Sequence, residues 1–233
     1  MPRLSAVTML AVMLAGCGGS PSAPPPQAVA GQGIDMVTDA SDVLNEIRGA
    51  GIEFVGRYYR DPDSMWPSLS RNEALRLSAQ GLKIVAVYEY RTPDPTHFNY
   101  AGGASDAAIA AAVARGVGQP AGSAIYFAVD FHAHDTDIPA VLDYFRGVRA
   151  GLAEAGGGAA AYRVGVYGSG LVCDAVRRAG LASYGWLSNS ITWDDGSAYD
   201  GWNIMQGSAV PGLSFANDSD QAHDDYGGFA VAP

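Results

Sequence analysis

The chain has 233 residues, and its 24 Asp and Glu residues outnumber its 14 Lys and Arg residues, which gives a formal net charge of −10 at pH 7. A strongly acidic chain is repelled by phosphate backbones and by anionic membrane surfaces, so neither nucleic acid nor such a surface is expected as the primary partner. The length suits one large domain, because single hydrophobic cores stop growing only beyond about 250–300 residues.

The first 17 residues have the pattern of an export signal. Arg3 supplies a positive charge, residues 4–14 are almost wholly apolar but too few to span a bilayer, and small residues lead to Cys17. The run Leu-Ala-Gly-Cys at 14–17 resembles the lipobox of bacterial lipoproteins, in which the cysteine is lipidated and becomes the mature N-terminus. The alternative is an ordinary secretory signal with an incidental cysteine. We therefore expect the protein on the extracytoplasmic face of the cell membrane, lipid-anchored through Cys17, or secreted.

The predicted division of the chain is a signal peptide at 1–16, a tether at 17–32 and one folded domain at 33–233. The tether is rich in Pro, Gly, Ser and Ala, a composition typical of a semi-extended linker without its own core. If Cys17 is acylated, Cys173 has no partner for an intramolecular disulfide. Its apolar helical surroundings predict a buried structural thiol.

From residue 33 onward, short apolar strands alternate with helical patterns. Strands are predicted at Gly33–Val37, Glu53–Tyr59, Lys83–Tyr90, Ser123–Phe131, Arg163–Gly168, Tyr184–Ser188 and Trp202–Gln206, with a possible eighth near Asp225–Val231. Helices are predicted at Ser41–Ala50, Ser70–Gln80, Ser105–Gly116, Ile138–Ala155 and Gly170–Ala179. Near-continuous apolar strands suit a parallel sheet that is buried on both faces. The βαβα order predicts the α/β class and a (β/α)8-type TIM barrel, irregular or incomplete in its last strands and helices.

Acidic residues stand at the C-terminal ends of three predicted strands: Asp35, Glu89 and Asp130. These strand ends form the functional face of a TIM barrel, so we expect the three carboxyl groups to meet at one mouth. Mutual repulsion and burial should raise the pKa of at least one of them into the range of a general acid. The structural alternative is that they cap helices or form salt bridges with Arg57 or Arg60.

A second cluster, made of Asp130, His132 and His134 with acids after them, suggests a transition-metal site that could recruit ligands from residues 223–225. The competing interpretation is a solvated loop that precedes a helix. Because the residues after Phe131 do not continue the strand pattern, we expect no tightly held metal and no cofactor.

Aromatic residues also gather near the predicted strand ends and the following loops. They are Tyr58, Tyr59, Tyr88, Tyr90, Tyr126, Tyr167, Trp186, Trp193 and Trp202. Many of them belong to the core. A few beside carboxylates and amides provide what a sugar ring needs, because such a ring has an apolar face and many hydroxyl groups.

Five short runs of the sequence resemble a bacterial family of glycoside-hydrolase-like TIM-barrel domains, first described as a domain of unknown function. The runs lie at residues 33–35, 54–58, 126–130, 166–169 and 202–206. The resemblance extends from Gly33 to the C-terminus. The broader group includes the muramidases of glycoside hydrolase family 25, whose barrels cleave the glycan of peptidoglycan.

The resemblance implies a TIM barrel with a carbohydrate-facing groove that acts on cell-envelope polysaccharide, with peptidoglycan as the expected glycan. We also expect the exported protein to be a monomer. In the muramidases an acid follows the first strand, which matches Asp35, and an Asp-x-Glu triplet lies on the fourth. Here that triplet is Ala128-Val129-Asp130, so its first acid is absent. Asp130 is then the expected general acid, with Glu89 or Asp35 as nucleophile, base or electrostatic stabiliser.

The side chains expected to position sugars are Arg57, Tyr59, Tyr126, Tyr167, Trp202 and Gln206. The rival hypothesis is a non-catalytic carbohydrate-binding or envelope-organising module on the same barrel, which the missing acid at Ala128 favours. A metal-dependent hydrolase such as a deacetylase is a third interpretation, and it depends only on His132 and His134.

Overall fold

Eight strands, taken in chain order, close into a single barrel in a computed structural model that describes residues 31–90, 94–190, 193, 199–223 and 225–233. The strands are β1 (Gly31–Asp35), β2 (Phe54–Tyr59), β3 (Lys83–Tyr88), β4 (Ala124–Ala128), β5 (Arg163–Gly168), β6 (Tyr184–Leu187), β7 (Ile204–Gln206) and β8 (Asp218–Ala222). The predicted TIM barrel is confirmed. β1 begins two residues before the predicted strand, whereas the signal peptide, Cys17 and the tether up to residue 30 lie outside the described residues.

The eighth strand differs from the prediction in both place and direction. It lies at Asp218–Ala222 and runs antiparallel to β1 and to β7, whereas each other neighbouring pair of strands is parallel. Only residues 207–217 connect β7 to β8, which is too short for the crossover that a parallel pair requires. The predicted strand near Asp225–Val231 is wrong, because this segment contributes a single bridge from Phe229 to Ile84.

Five α-helices surround the barrel in the described part of the chain. They are α1 (Leu44–Gly49), α2 (Arg71–Ala79), α3 (Tyr100–Val117), α4 (Ile138–Ala155) and α5 (Gly170–Arg178). None of the described helices is long and apolar enough to cross a membrane. Their positions follow the predicted ones closely, except at the start of α3.

Helix α3 begins five residues before its predicted start. The additional residues include Gly102 and Gly103, which have close neighbours where a side chain would not fit. Asn99 caps the helix by accepting a hydrogen bond from the Gly102 amide. A Cβ atom at Gly103 would lie 2.0 Å from the Tyr144 carbonyl oxygen of α4, so glycine permits the close contact between the two helices. Glycines that disfavour a helix in isolation therefore belong to one here.

Aromatic side chains fill the barrel interior, and glycines on neighbouring strands make room for them. A Cβ at Gly33 would lie 2.2 Å from the Phe54 ring, one at Gly165 would lie 2.4 Å from the Tyr126 ring, and one at Gly56 would lie 2.7 Å from Trp186. The barrel is therefore a packed core rather than a pore, as is usual for eight strands. A small cavity remains at its mouth, at the C-terminal ends of the parallel strands.

Candidate active site

The mouth of the barrel holds a narrow cavity of about 40 Å³ whose wall includes Asp35, Glu89 and Asp130. The predicted convergence of the three acids is thus confirmed. The remaining lining residues are Tyr58, Val87, Ala128, Tyr167, Trp186 and Gln206. This volume admits roughly three water molecules, or one substituent of a larger ligand, but not a sugar ring. A larger ligand would therefore have to lie across the rim and insert only a small group between the acids.

Asp35 is the most enclosed of the three acids, with 4% of its surface exposed. The Gln206 side-chain amide donates to Asp35 Oδ2 at 2.8 Å, and the Tyr58 hydroxyl donates to Oδ1 at 3.2 Å. These bonds fix the carboxyl group in place and favour its charged form. Burial outweighs them and, with the nearby negative charge of Asp218, raises the pKa of Asp35 to about 7.

A fourth acid, Asp220, lies within the barrel and was missed by sequence analysis. The Trp186 indole donates to its Oδ1 at 2.9 Å, while Oδ2 is buried with no hydrogen-bond partner among the described residues. Burial, and next the charge of Asp35, raise the pKa of Asp220 well above its usual range. Protonation of Asp220 would remove its repulsion of a charged Asp35 in the same part of the barrel.

Arg60 supplies positive charge to the other two acids. Its Nη1 lies 2.8 Å from Glu89 Oε2, and its guanidinium stacks 4.3 Å from the centre of the Tyr58 ring. Burial raises the pKa of both Glu89 and Asp130, and the charge of Arg60 partly offsets this for each. Only Glu89 also receives a hydrogen bond from Arg60, so Glu89 is the better candidate for a lasting anion and Asp130 for a proton carrier.

Two of the six residues predicted to position sugars line the mouth, namely Tyr167 and Gln206. The Tyr167 hydroxyl donates to Gln206 Oε1 at 3.1 Å, and the Asn189 amide donates to the same oxygen at 3.2 Å. The Gln206 carbonyl is thereby held, and its NH2 group is aimed at Asp35. Gln206 thus orients an acid as well as lining the cavity.

Arg57 and Tyr59 do not reach the mouth, which corrects their predicted role. Alternate residues of a strand point to opposite faces, and on β2 it is Tyr58 that points inward. Arg57 is fully buried outside the barrel, where it pairs with Glu73 at 2.5 Å. Tyr59 is also fully buried, and its hydroxyl donates to Gln119 at 2.8 Å. Neither side chain is available to a ligand at the mouth.

Tyr126 and Trp202 are also corrected. Tyr126 points into the barrel but lies below the cavity, fully buried, and its hydroxyl donates to the Tyr226 carbonyl at 2.8 Å. Trp202 precedes β7, so it stands at the end of the barrel opposite the mouth. Its ring stacks on His223 with the ring centres 4.0 Å apart.

The histidine cluster does not form a metal centre within the described residues. The rings of His132 and His134 lie with their centres 4.3 Å apart on the loop after β4. Among the described residues, no group of three or more His, Cys, Asp or Glu side chains is arranged to hold a metal ion. Asp224, one of the acids that could have completed such a site, lies outside the described residues.

The burial of Asp35 predicts a pH-dependent stability. Its folded pKa of about 7 exceeds the unfolded value of ~3.9, so the folded state holds this proton more tightly. The free energy of unfolding should therefore fall as pH rises from ~4 to ~7 and level off above that range. Asp35→Asn stays neutral at every pH, so its free energy of unfolding should not show this fall. The fall in the wild type is on the order of a few kcal/mol, because each pKa unit corresponds to ~1.4 kcal/mol.

Urea unfolding at about pH 4.5 and about pH 7.5 checks this prediction. Asp174→Asn is the matched control, because Asp174 is half exposed on α5 and pairs with Arg178 in the same helix. It should keep the wild-type dependence on pH. Equal pH dependence in the wild type and in Asp35→Asn would show that the buried proton lies elsewhere.

Comparison with known proteins places the chain in a family. The family described as Rv2525c-like, glycoside hydrolase-like domain matches residues 45–227. YbfG of Bacillus subtilis (strain 168) is 33% identical over 120 residues, which are 50% of this chain and 16% of YbfG. FadG of the same organism is 27% identical over 171 residues, which are 72% of this chain and 29% of FadG. The chain therefore spans less than a third of the length of these two relatives.

Several solved structures share the fold. The Tat-secreted protein Rv2525c of Mycobacterium tuberculosis superimposes with a TM-score of 0.69 at 23% identity, covering 85% of this chain and 98% of that one. The autolysin LytC of Streptococcus pneumoniae, solved with a synthetic peptidoglycan ligand, gives 0.55 at 13% identity, covering 82% and 46%. A muramidase from Trichobolus zukalii also gives 0.55 at 13% identity, covering 84% and 95%. Since the family match extends over most of the barrel, the chain belongs to the Rv2525c-like family of glycoside hydrolase-like domains.

Proposed function

We propose that this domain hydrolyses a glycan of the cell envelope, peptidoglycan, with the acids of the mouth as its acid/base machinery. The observation that carries the proposal is the gathering of Asp35, Glu89 and Asp130 around one narrow cavity, with Arg60 bonded to only one of them. Glycoside hydrolysis requires two carboxyl groups in different protonation states across the scissile bond. An environment that separates their proton affinities meets that requirement.

Each acid then has a distinct role. Asp130 is the general acid, because burial raises its pKa and it makes no direct ion pair in the described structure. Glu89, held by Arg60, is the anion that acts as nucleophile or base. Asp35, fixed by Gln206 and Tyr58, stabilises the positive charge that develops on the sugar as the bond breaks. It does so in its ionised form, which prevails above about pH 7 because burial raises its pKa to about 7.

The choice of substrate is supported by the fold and by the rim. LytC was solved with a peptidoglycan ligand, and the protein from Trichobolus zukalii is a muramidase, so this barrel architecture serves that glycan in other proteins. The rings of Tyr58 and Tyr167 stand beside the carboxyl groups in the mouth. A sugar ring combines an apolar face with hydroxyl groups, and such a mixed surface is suited to it.

An assay on purified, insoluble peptidoglycan tests the proposal. The wild-type protein should release new reducing ends and soluble fragments, and the anomeric form of the first product should distinguish retention from inversion. If wild-type protein sediments with peptidoglycan but releases no reducing ends, the hydrolase assignment is wrong and the protein is a binder.

A non-catalytic binding module is the second candidate function, and Ala128 favours it. Ala128 lines the mouth at the position where the muramidases that the sequence resembles carry the first acid of their Asp-x-Glu triplet. In this case the acids and tyrosines of the mouth hold a sugar without cleaving it. The same assay separates the two functions.

Export and lipid anchoring complete the proposal. Rv2525c, which shares the fold, is a Tat-secreted protein, and this supports export of the present chain. The Leu-Ala-Gly-Cys run supports acylation of Cys17. We expect Cys17→Ser to move the protein from the membrane fraction to the soluble fraction, because a residue without a thiol cannot receive the lipid. Equal partition of mutant and wild type into detergent would contradict the anchor.

A further inference from the structure

A second groove, of about 500 Å³, lies beside the mouth between the segment 60–71 and the C-terminal half of α3. Trp66 is part of its wall and exposes 55% of its surface. A tryptophan exposed to this degree is unusual, because its indole is among the largest apolar surfaces a protein carries. Leu69, Val113 and Val117 add apolar surface to the same groove.

Arg60 connects this groove to the mouth. It is a wall residue of the groove, and its Nη1 bonds Glu89 inside the mouth. Only 6% of Arg60 is exposed, yet its Nε has no hydrogen-bond partner among the described residues. A buried N–H group without an acceptor is costly, so Arg60 carries an unused hydrogen-bond donor beside the groove.

The charges around the groove indicate a neutral ligand. Arg60 is balanced by Glu89, and the described wall residues include one further cation, Arg71, and one acid, Asp61. Arg71 donates to the Val117 carbonyl at 3.1 Å, so part of its hydrogen-bonding capacity is already used. The groove thus combines an exposed aromatic face, a buried donor and nearly balanced charge, which is the chemistry that a neutral sugar ring recognises.

We propose that this groove is a remote subsite for a pyranose ring of the same glycan chain that is cleaved or held in the mouth. The ring packs its apolar face on Trp66, and its hydroxyl and acetamido groups face the polar side chains of the wall. This inference rests on the proposed function, since it assumes that the mouth takes a glycan. It adds that the protein recognises several sugars at once rather than a single glycosidic bond.

The test measures binding as a function of chain length. The probes are soluble glycan strands freed from peptidoglycan by an amidase and fractionated by length. All proteins carry Asp130→Asn so that the strands stay intact. Adding Trp66→Ala should weaken the binding of the longest strands by roughly tenfold, the equivalent of ~1.4 kcal/mol, with a loss that grows with strand length. Trp66→Phe should restore part of the affinity because it keeps an aromatic face.

Tyr100→Ala is the matched control, because Tyr100 is also an exposed aromatic residue, at 49%, but does not line the groove. It should bind all strands as the parent does. If the parent binds long strands and Trp66→Ala binds them equally well, the subsite is wrong while the proposed function stands. If the parent binds no strand of any length, the proposed function and the subsite both fail.

Discussion

Replacement of Asp130 by Asn is expected to slow the release of reducing ends from peptidoglycan by at least ~100-fold, while binding to the same material changes little. The substitution keeps the size and shape of the side chain but removes the proton that the departing sugar oxygen must receive. Burial raises the pKa of Asp130, so part of the wild-type protein holds this proton under conditions where an exposed Asp is fully ionised.

The control for this variant is Asp174→Asn, the same chemical change on a partly exposed residue of α5 that is absent from the lining of the mouth. It should retain wild-type turnover. A co-sedimentation assay with peptidoglycan separates lost chemistry from lost binding. If Asp130→Asn releases sugar as fast as the wild type, Asp130 is not the acid, and Asp35, whose pKa is raised to about 7, is the next residue to test.

Removal of Glu73 is expected to cost about 3–5 kcal/mol of unfolding free energy. Its carboxylate pairs with the Arg57 Nε at 2.5 Å and with Nη2 at 3.1 Å, and it also accepts a hydrogen bond from the Ala40 amide at 2.9 Å. In Glu73→Ala the fully buried Arg57 keeps its charge and loses its partner. Urea unfolding of the variant against the wild type measures the loss.

Two controls establish that the cost comes from an unpaired charge. The double variant Arg57→Met with Glu73→Leu replaces the pair by apolar groups and should recover most of the stability, because an apolar pair leaves no charge buried. Asp174→Ala breaks the exposed pair with Arg178 and should cost no more than ~0.5 kcal/mol. A Glu73→Ala loss as small as that of Asp174→Ala would contradict the importance of the buried pair.

The Arg57–Glu73 pair also illustrates what local sequence patterns omit. The Ser70-x-x-Glu73 pattern predicts a capping box, and its first half is present, since the Ser70 hydroxyl accepts a hydrogen bond from the Glu73 amide. The Glu73 carboxylate, however, turns to Arg57, which lies sixteen residues earlier in the chain. Nothing in the helix signal identifies a partner at that distance.

The three acids could be predicted because a rule that depends only on topology places them. Parallel strands of a barrel share one C-terminal face, so a residue just after an apolar strand lies at the mouth whatever its neighbours are. Predicting which residues position a sugar required finer information. For Arg57 and Tyr59 the missing information was which face of the strand they occupy. For Tyr126 it was the depth in the barrel, and for Trp202 it was the end of the strand at which it lies. These depend on packing that the pattern of apolar residues does not specify.

Asp220 was missed for a different reason. The segment 218–222 reads Asp-Ser-Asp-Gln-Ala, which lacks the apolar character by which the other strands were recognised. It is a strand because it closes the barrel between β1 and β7. Long-range closure rather than local preference thus determines this strand.

The direction of β1 has a consequence for how the protein is displayed. β1 starts at Gly31, beside Ala222 of the antiparallel β8, and ends at Asp35 in the mouth. The preceding segment therefore joins the barrel at the face opposite the carboxyl groups. With the proposed acyl group on Cys17, the anchor would join the barrel at the end opposite the acids and so leave the mouth uncovered.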